Sequence, residues 1–267
     1  MQTADNYHMG AVGPSVPDSR DTDFPLSAVP SQGVPRQHYV LSRVPANQGK
    51  QGSCVAHALT HAAETELLVR QGIHTDLSRA FLYQEARAMR GWRDKDTGCF
   101  VREAVQVLAE QGTCSENVMP YVSGDYRTRP SKKAYAEGQR NRAAEFHLVP
   151  SADLAVGALA ADHAVVVAFT VYSNFSEART TGKWPTPSGP VLGGHSVALM
   201  GYDLDGQRLL ACNWWQDRGP WGMPHPLAGT DERFAEHRTG YWWIPFAAYE
   251  SRDFWDCFSV HHFALEV

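Results

Sequence analysis

Apolar residues follow two different periods in the two halves of this chain. From Cys54 onward, Val55, Ala58, Leu59 and Ala62 recur three and four positions apart. That period predicts a largely buried helix from Cys54 to about Arg70, stopped at Gln71-Gly72 by a glycine signal. Leu77-Ser78 opens a second helix with Phe81, Leu82, Glu85, Ala86 and Met89 on helical spacing, and Phe100 to Gln111 gives a third, closed by Gly112. Ser151 caps a short helix running to about Ala161. Beyond it the period shortens, and strands are expected at Ala164–Tyr172, His195–Tyr202, Arg208–Asn213, Gly240–Ile244 and about Phe258–Leu265. Asp203-Leu204-Asp205-Gly206 reads as the turn of a hairpin. Helices first and strands second make this an α+β chain. Residues Gly124 to Glu145 are basic and polar and read as an exposed connector, while Met1 to about Pro45 is rich in Pro, Gly, Ser and Asp without any period.

Composition narrows the class little further. The 267 residues suit one large domain or two small lobes, and 43% hydrophobic with 20% charged residues describes an ordinary globular chain. A net charge of -5 gives no reason to expect nucleic acid or an anionic membrane as partner. The longest apolar run, Ala164 to Phe169, is too short for a membrane span and suits a buried strand. The amino end has no charged-then-apolar export signal, so a cytoplasmic location or a non-Sec export route is expected. The cysteines, Cys54, Cys99, Cys114, Cys212 and Cys257, are odd in number and are expected as reduced thiols. Nothing in the sequence speaks to oligomeric state.

The candidate chemistry starts at Cys54. A glycine-punctuated loop, Asn47-Gln48-Gly49-Lys50-Gln51-Gly52-Ser53, delivers it into the first turn of the first helix, where unpaired N–H groups favour a thiolate. Gln48-Gly49, Gly52-Ser53-Cys54 together resemble the active-site segment of papain-like cysteine peptidases. His195, in Gly193-Gly194-His195-Ser196-Val197, lies roughly 140 positions downstream, and Asn213 in Cys212-Asn213-Trp214-Trp215 follows it, as that resemblance requires. The likeness continues through Trp221-Gly222 to Gly240-Tyr241 and so covers most of the chain.

The resemblance implies a two-lobe fold, with a helical lobe facing an antiparallel, β-barrel-like lobe across a cleft. Residues 1–45 would form an extended tail, 46–145 the helical lobe with Cys54, and 146–267 the β-rich lobe with His195 and Asn213. It assigns Cys54 as nucleophile, His195 as its base, Asn213 as the group orienting His195, and Gln48 as an oxyanion donor. Gly98 would line the substrate cleft, and Trp215 would shield the His195–Asn213 hydrogen bond. The implied activity is hydrolysis of peptide bonds through an acyl-thioester, on a peptide or protein substrate and without a cofactor. The same machinery could serve an amidase or acyltransferase with a dedicated partner, or survive in a binding module that has lost catalysis.

Departures from the family pattern matter as well. Val55 stands where a tryptophan usually follows the nucleophile, Trp214 replaces a small residue and Gln216 a glycine. Gln51 replaces the family's first cysteine, which excludes its usual disulfide, and Cys99 and Cys114 are expected to stay unpaired. Met223 to Thr239 is an insertion, expected to form a loop that narrows the primed side of the cleft. Too few residues precede Cys54 for a helical propeptide; the tail reads as hugging the surface, with a short extended plug in the cleft as the alternative. Cys54, His57 and His61 share one helix side, but no fourth ligand stands at metal-site spacing.

Overall fold

Helix α1 (Cys54–Gln71) is buried on every side from Cys54 to Leu68, and the rest of the molecule is built around it. Its alanines, valines and leucines leave no polar face, and its threonines and Glu64 are satisfied locally. Thr60 and Thr65 donate to the carbonyls one turn back, at 2.8 Å each, and Glu64 meets Arg79 at 2.9 Å while accepting the Leu77 N–H. Gly72, in the left-handed region at φ 66, ends the helix. The computed structural model describes residues 9–29, 33–215 and 221–265 of the chain; Gln216, singled out above, lies outside them.

Strand β1 (Gln37–Tyr39) precedes α1. Helices α2 (Arg79–Ala88) and α3 (Val101–Glu110) pack beside it, then α4 (Lys132–Gly138) leads into β2 (Asn141–Leu148) and α5 (Ala152–Ala160). Ser78, Ser131 and Ser151 cap α2, α4 and α5 with their hydroxyls. Strand β3 (Val165–Tyr172), the short α6 (Glu177–Thr181), β4 (Val191–Asp203), β5 (Arg208–Cys212), β6 (Tyr241–Pro245), α7 (Phe246–Tyr249) and β7 (Phe254–Leu265) complete the order. The seven strands form one antiparallel sheet in the order β2-β7-β3-β4-β5-β6, with β1 extending along β4 beyond the end of β3. The sheet curls around an aromatic core but is not closed, since β2 and β6 remain its outer strands; the barrel-like expectation is corrected to an open sheet. Among the described residues no helix is long and apolar enough to cross a membrane.

The segment expected as a plain connector holds both α4 and β2. Strand β2 lies at the sheet's edge with a wet face, so its sequence, Asn-Arg-Ala-Ala-Glu-Phe-His-Leu, lacks the apolar run of a central strand. The tail also departs from expectation. Its first described residues leave the surface and enter the space between α1 and β4: Ala11 N–H donates to Gly194 O at 3.1 Å, Cys99 N–H to Gly10 O at 2.9 Å, and Val12 N–H to Cys99 O at 3.3 Å. Farther along, Ser15 hydrogen-bonds Asp256, Asp21 pairs with Arg102, and Phe24 is buried against β2 and β7. The plug alternative therefore describes residues 9–12, and the surface-hugging one only the stretch that follows.

Candidate active site

Cys54 is the first residue of α1 and is wholly buried. The backbone of Ser196, Gly10, Val55 and Cys54 itself surrounds the thiol and favours its thiolate, yet burial outweighs them and pushes its pKa up to about 12. In this form the sulfur is a neutral thiol, opposite to the direction expected for an open helix N-terminus.

His195 comes from β4, whose next residue, Ser196, lies against the Cys54 sulfur. Its Nε2 donates to Asn213 Oδ1 at 2.7 Å, and the Trp214 backbone N–H donates to the same oxygen at 2.8 Å. Two donors on one atom fix the amide's orientation and place the ring proton on Nε2. Nδ1 is then the lone-pair nitrogen, buried and without a partner among the described residues. The Trp215 indole stacks on the imidazole at 3.8 Å between centroids, and Phe169 closes its edge at 5.6 Å. Burial pulls the His195 pKa down to about 3, with the Asn213 hydrogen bond opposing it. Both partners are thus held neutral.

Gln48 lies buried in the loop before α1. Its backbone N–H reaches Trp214 O at 2.9 Å and its Nε2 donates to Gln51 O at 2.8 Å, so the loop is tied to the residue that follows Asn213. Gly98 lies against Gly10 at φ 77, where a Cβ would stand 2.3 Å from Gly10 O. It is fixed to the loop through Asp96, which accepts from Gly52 N–H and from the Tyr83 hydroxyl, itself bonded to Gly98 N–H. Gly10 is the reciprocal fit: a Cβ there would lie 2.0 Å from Gly52 O. Backbone thus lies on backbone across the Cys54 face, and sequence periodicity carries no trace of it.

Other expectations fall elsewhere. Among the described residues no three His, Cys, Asp or Glu are grouped so that they could hold a metal ion. His57 Nδ1 instead faces Ser53 O at 3.0 Å, and the Trp214 ring lies against both histidines. All five cysteines are free thiols. The insertion's turn at Glu232–Phe234 borders a surface cavity with Leu41–Val44, Leu68 and His74, toward the carboxyl end of α1. His225 stacks on Phe234, and its backbone N–H bonds to His237 O, so the insertion packs on itself.

Residues 30–227 match the papain family of cysteine proteases, and the chain belongs to that family. A peptidase C1-like protein of Acanthamoeba polyphaga mimivirus is 24% identical over 191 residues, which cover 66% of this chain and 61% of that protein, so the match spans less than two thirds of that relative's length. The fold is similar to that of xylellain, a cysteine protease from Xylella fastidiosa, with a TM-score of 0.82, 21% identity and 99% of each chain covered. It is also similar to procathepsin B of Trypanosoma congolense, with a TM-score of 0.70, 17% identity, and 96% of this chain and 87% of that chain covered.

Proposed function

We propose that the protein is a cysteine peptidase whose described form is latent. The observation that carries this reading is the His195–Asn213 pair, which leaves a bare Nδ1 beside the strand residue that touches Cys54. With residues 9–12 withdrawn, water reaches both groups and the desolvation that holds them neutral is relieved. The thiol proton then passes to His195 Nδ1, and the thiolate attacks the substrate carbonyl. Gln48 Nε2 and the Cys54 backbone N–H stabilise the oxyanion, where one donor is typically worth about 3 kcal/mol of barrier. His195 returns its proton to the leaving amine, and water, activated by the same imidazole, hydrolyses the thioester. Asn213 keeps the ring oriented throughout, and Trp215 keeps water from that hydrogen bond.

The test uses the full chain carrying Gly10→Val, whose branched side chain cannot share space with Gly52 O. An epoxysuccinyl probe should label Cys54, and a peptide library should be cleaved; Cys54→Ala should abolish both. Labelling without any cleavage would replace hydrolysis of peptides by amide or acyl transfer on a dedicated partner. No labelling would end the reading.

A further inference from the structure

The loop that carries Gln48 is held from behind by a short strap, residues 121–124, that has no part in the chemistry described so far. Tyr121 Oη donates to Gln48 O at 2.7 Å, and Ser53 Oγ, 2.7 Å from the same Oη, supplies the return hydrogen bond. His57 Nδ1–H donates to Ser53 O at 3.0 Å, and its ring meets the Tyr121 ring edge-on at 4.8 Å. The Tyr121 hydroxyl thus accepts from Ser53 Oγ and donates to the Gln48 carbonyl, while His57 holds the Ser53 main chain. Beside them, Lys50 N–H donates to Ser123 Oγ at 2.9 Å and Gly124 N–H to Gln51 Oε1 at 3.0 Å. Tyr121 is anchored in turn by its own N–H on the Glu116 carboxylate.

Gln51 is the residue that stands where relatives have a bridging cysteine, and here it is used twice. Its main-chain oxygen takes the Gln48 amide and its side-chain oxygen takes the strap. We propose that Tyr121, through Ser53 and the Gln48 carbonyl, is a positioning residue for the oxyanion site, and that the strap it belongs to replaces a disulfide in fixing the nucleophile loop. The Tyr121 hydroxyl touches neither Cys54 nor His195 in any hydrogen bond, so its loss leaves the thiolate chemistry alone and loosens only the donor that faces the oxyanion. The inference rests on the peptidase reading, and it makes the loop's geometry indifferent to reducing agents.

Tyr121→Phe removes the hydroxyl and keeps the ring packed on His57. In the full chain, backbone amides of Gln48 and Ser53 should exchange about fivefold to tenfold faster, as loss of a roughly 1 kcal/mol hydrogen bond requires; unchanged exchange overturns the strap. In the full chain opened by Gly10→Val, Tyr121→Phe should lower kcat on a peptide about tenfold with KM little changed. Alkylation of Cys54 by iodoacetamide, which builds no oxyanion, should change less than about twofold. Combined with Gln48→Ala, the tenfold loss should largely disappear, because the positioned donor is gone. Equal losses in alkylation and turnover, or losses that multiply in the double variant, would make Tyr121 merely structural. If the opened chain alkylates but cleaves nothing, the peptidase reading fails, while the exchange comparison still decides the strap.

Discussion

The two ends of the described tail are held by opposite means. Over Cys54, residues 9–12 contribute mainly main chain: three backbone hydrogen bonds and a glycine pressed against Gly52, with hardly any room for side chains. At Phe24 the side chain does most of the holding. Its ring stacks on His261 at 5.6 Å and meets His147 and His163 edge-on at 6.2 Å each, while its backbone pairs with Leu148. A backbone plug is geometrically strict yet contributes little beyond hydrogen bonds exchanged with water; a buried aromatic contributes more and tolerates small shifts. Occlusion and anchoring are therefore separable, and each can be broken alone.

The largest effect should come from the strict end. Gly10→Val places carbon atoms where Gly52 O already lies, so residues 9–12 must leave the slot while Phe24 stays docked. Iodoacetamide should then modify Cys54 at least about a hundredfold faster than in the parent chain, since the thiol goes from fully buried to reachable. Parent-like kinetics would mean that the slot accommodates a side chain after all. Next comes the anchor. Phe24→Ala removes a fully buried ring and should cost about 3 kcal/mol, read as a lower Tm and as rapid cleavage of residues 13–29 by added trypsin at Arg20.

How much of this was legible in the sequence depends on the range over which each residue acts. The limits of α1, α2, α3 and α5 follow from apolar spacing and from Ser78, Ser151, Gly72 and Gly112, which act within one turn. His195 and Asn213 were legible only through family likeness, because nothing local joins a residue of β4 to one just beyond β5. Strand β2 was missed because an edge strand with a solvated face is polar. The plug was invisible because the requirement for glycine at position 10 is set by the carbonyl of Gly52, forty-two residues away. The insertion's own packing, with His225 on Phe234 and its turn beside Leu41–Val44, rests on contacts that its sequence neighbour Trp221 does not announce.

Acidification should weaken the Phe24 end specifically. His261 lies under the ring with its pKa pulled down to about 2, first by burial and then by repulsion from His163, His147, His262 and Arg70. Glu66 faces His163 at 3.0 Å, and Glu145 faces His147 and His262 from β2, so negative charge is already committed to the neighbours. A histidine with a depressed value binds its proton only when uncovered. Phe24 covers one face of this ring, so the part of the burial that docking supplies is lost as docking strength when pH falls below the ordinary histidine range. Trypsin susceptibility at Arg20 should rise from pH 6.5 to 5, and His261→Phe should flatten the profile. A profile unchanged in that variant would take the effect away from His261.

The smallest break lies between the two ends. Ser15 donates its backbone N–H to Asp256 at 3.1 Å and its hydroxyl to the same carboxylate, and burial pushes the Asp256 pKa up. Ser15→Ala removes one charge-assisted donor and leaves the main-chain contact, a loss of about 1.5 kcal/mol, or roughly tenfold in docking at neutral pH. Burial raises the Asp256 pKa while both Ser15 hydrogen bonds favour its ionised form, so this contact weakens on acidification, in the same direction as the His261 effect. The serine variant should accordingly differ most from the parent near pH 7 and converge with it toward pH 4, which trypsin kinetics at Arg20 can follow. A gap that fails to narrow on acidification would show that the Ser15 hydroxyl does not act through the ionised Asp256 carboxylate.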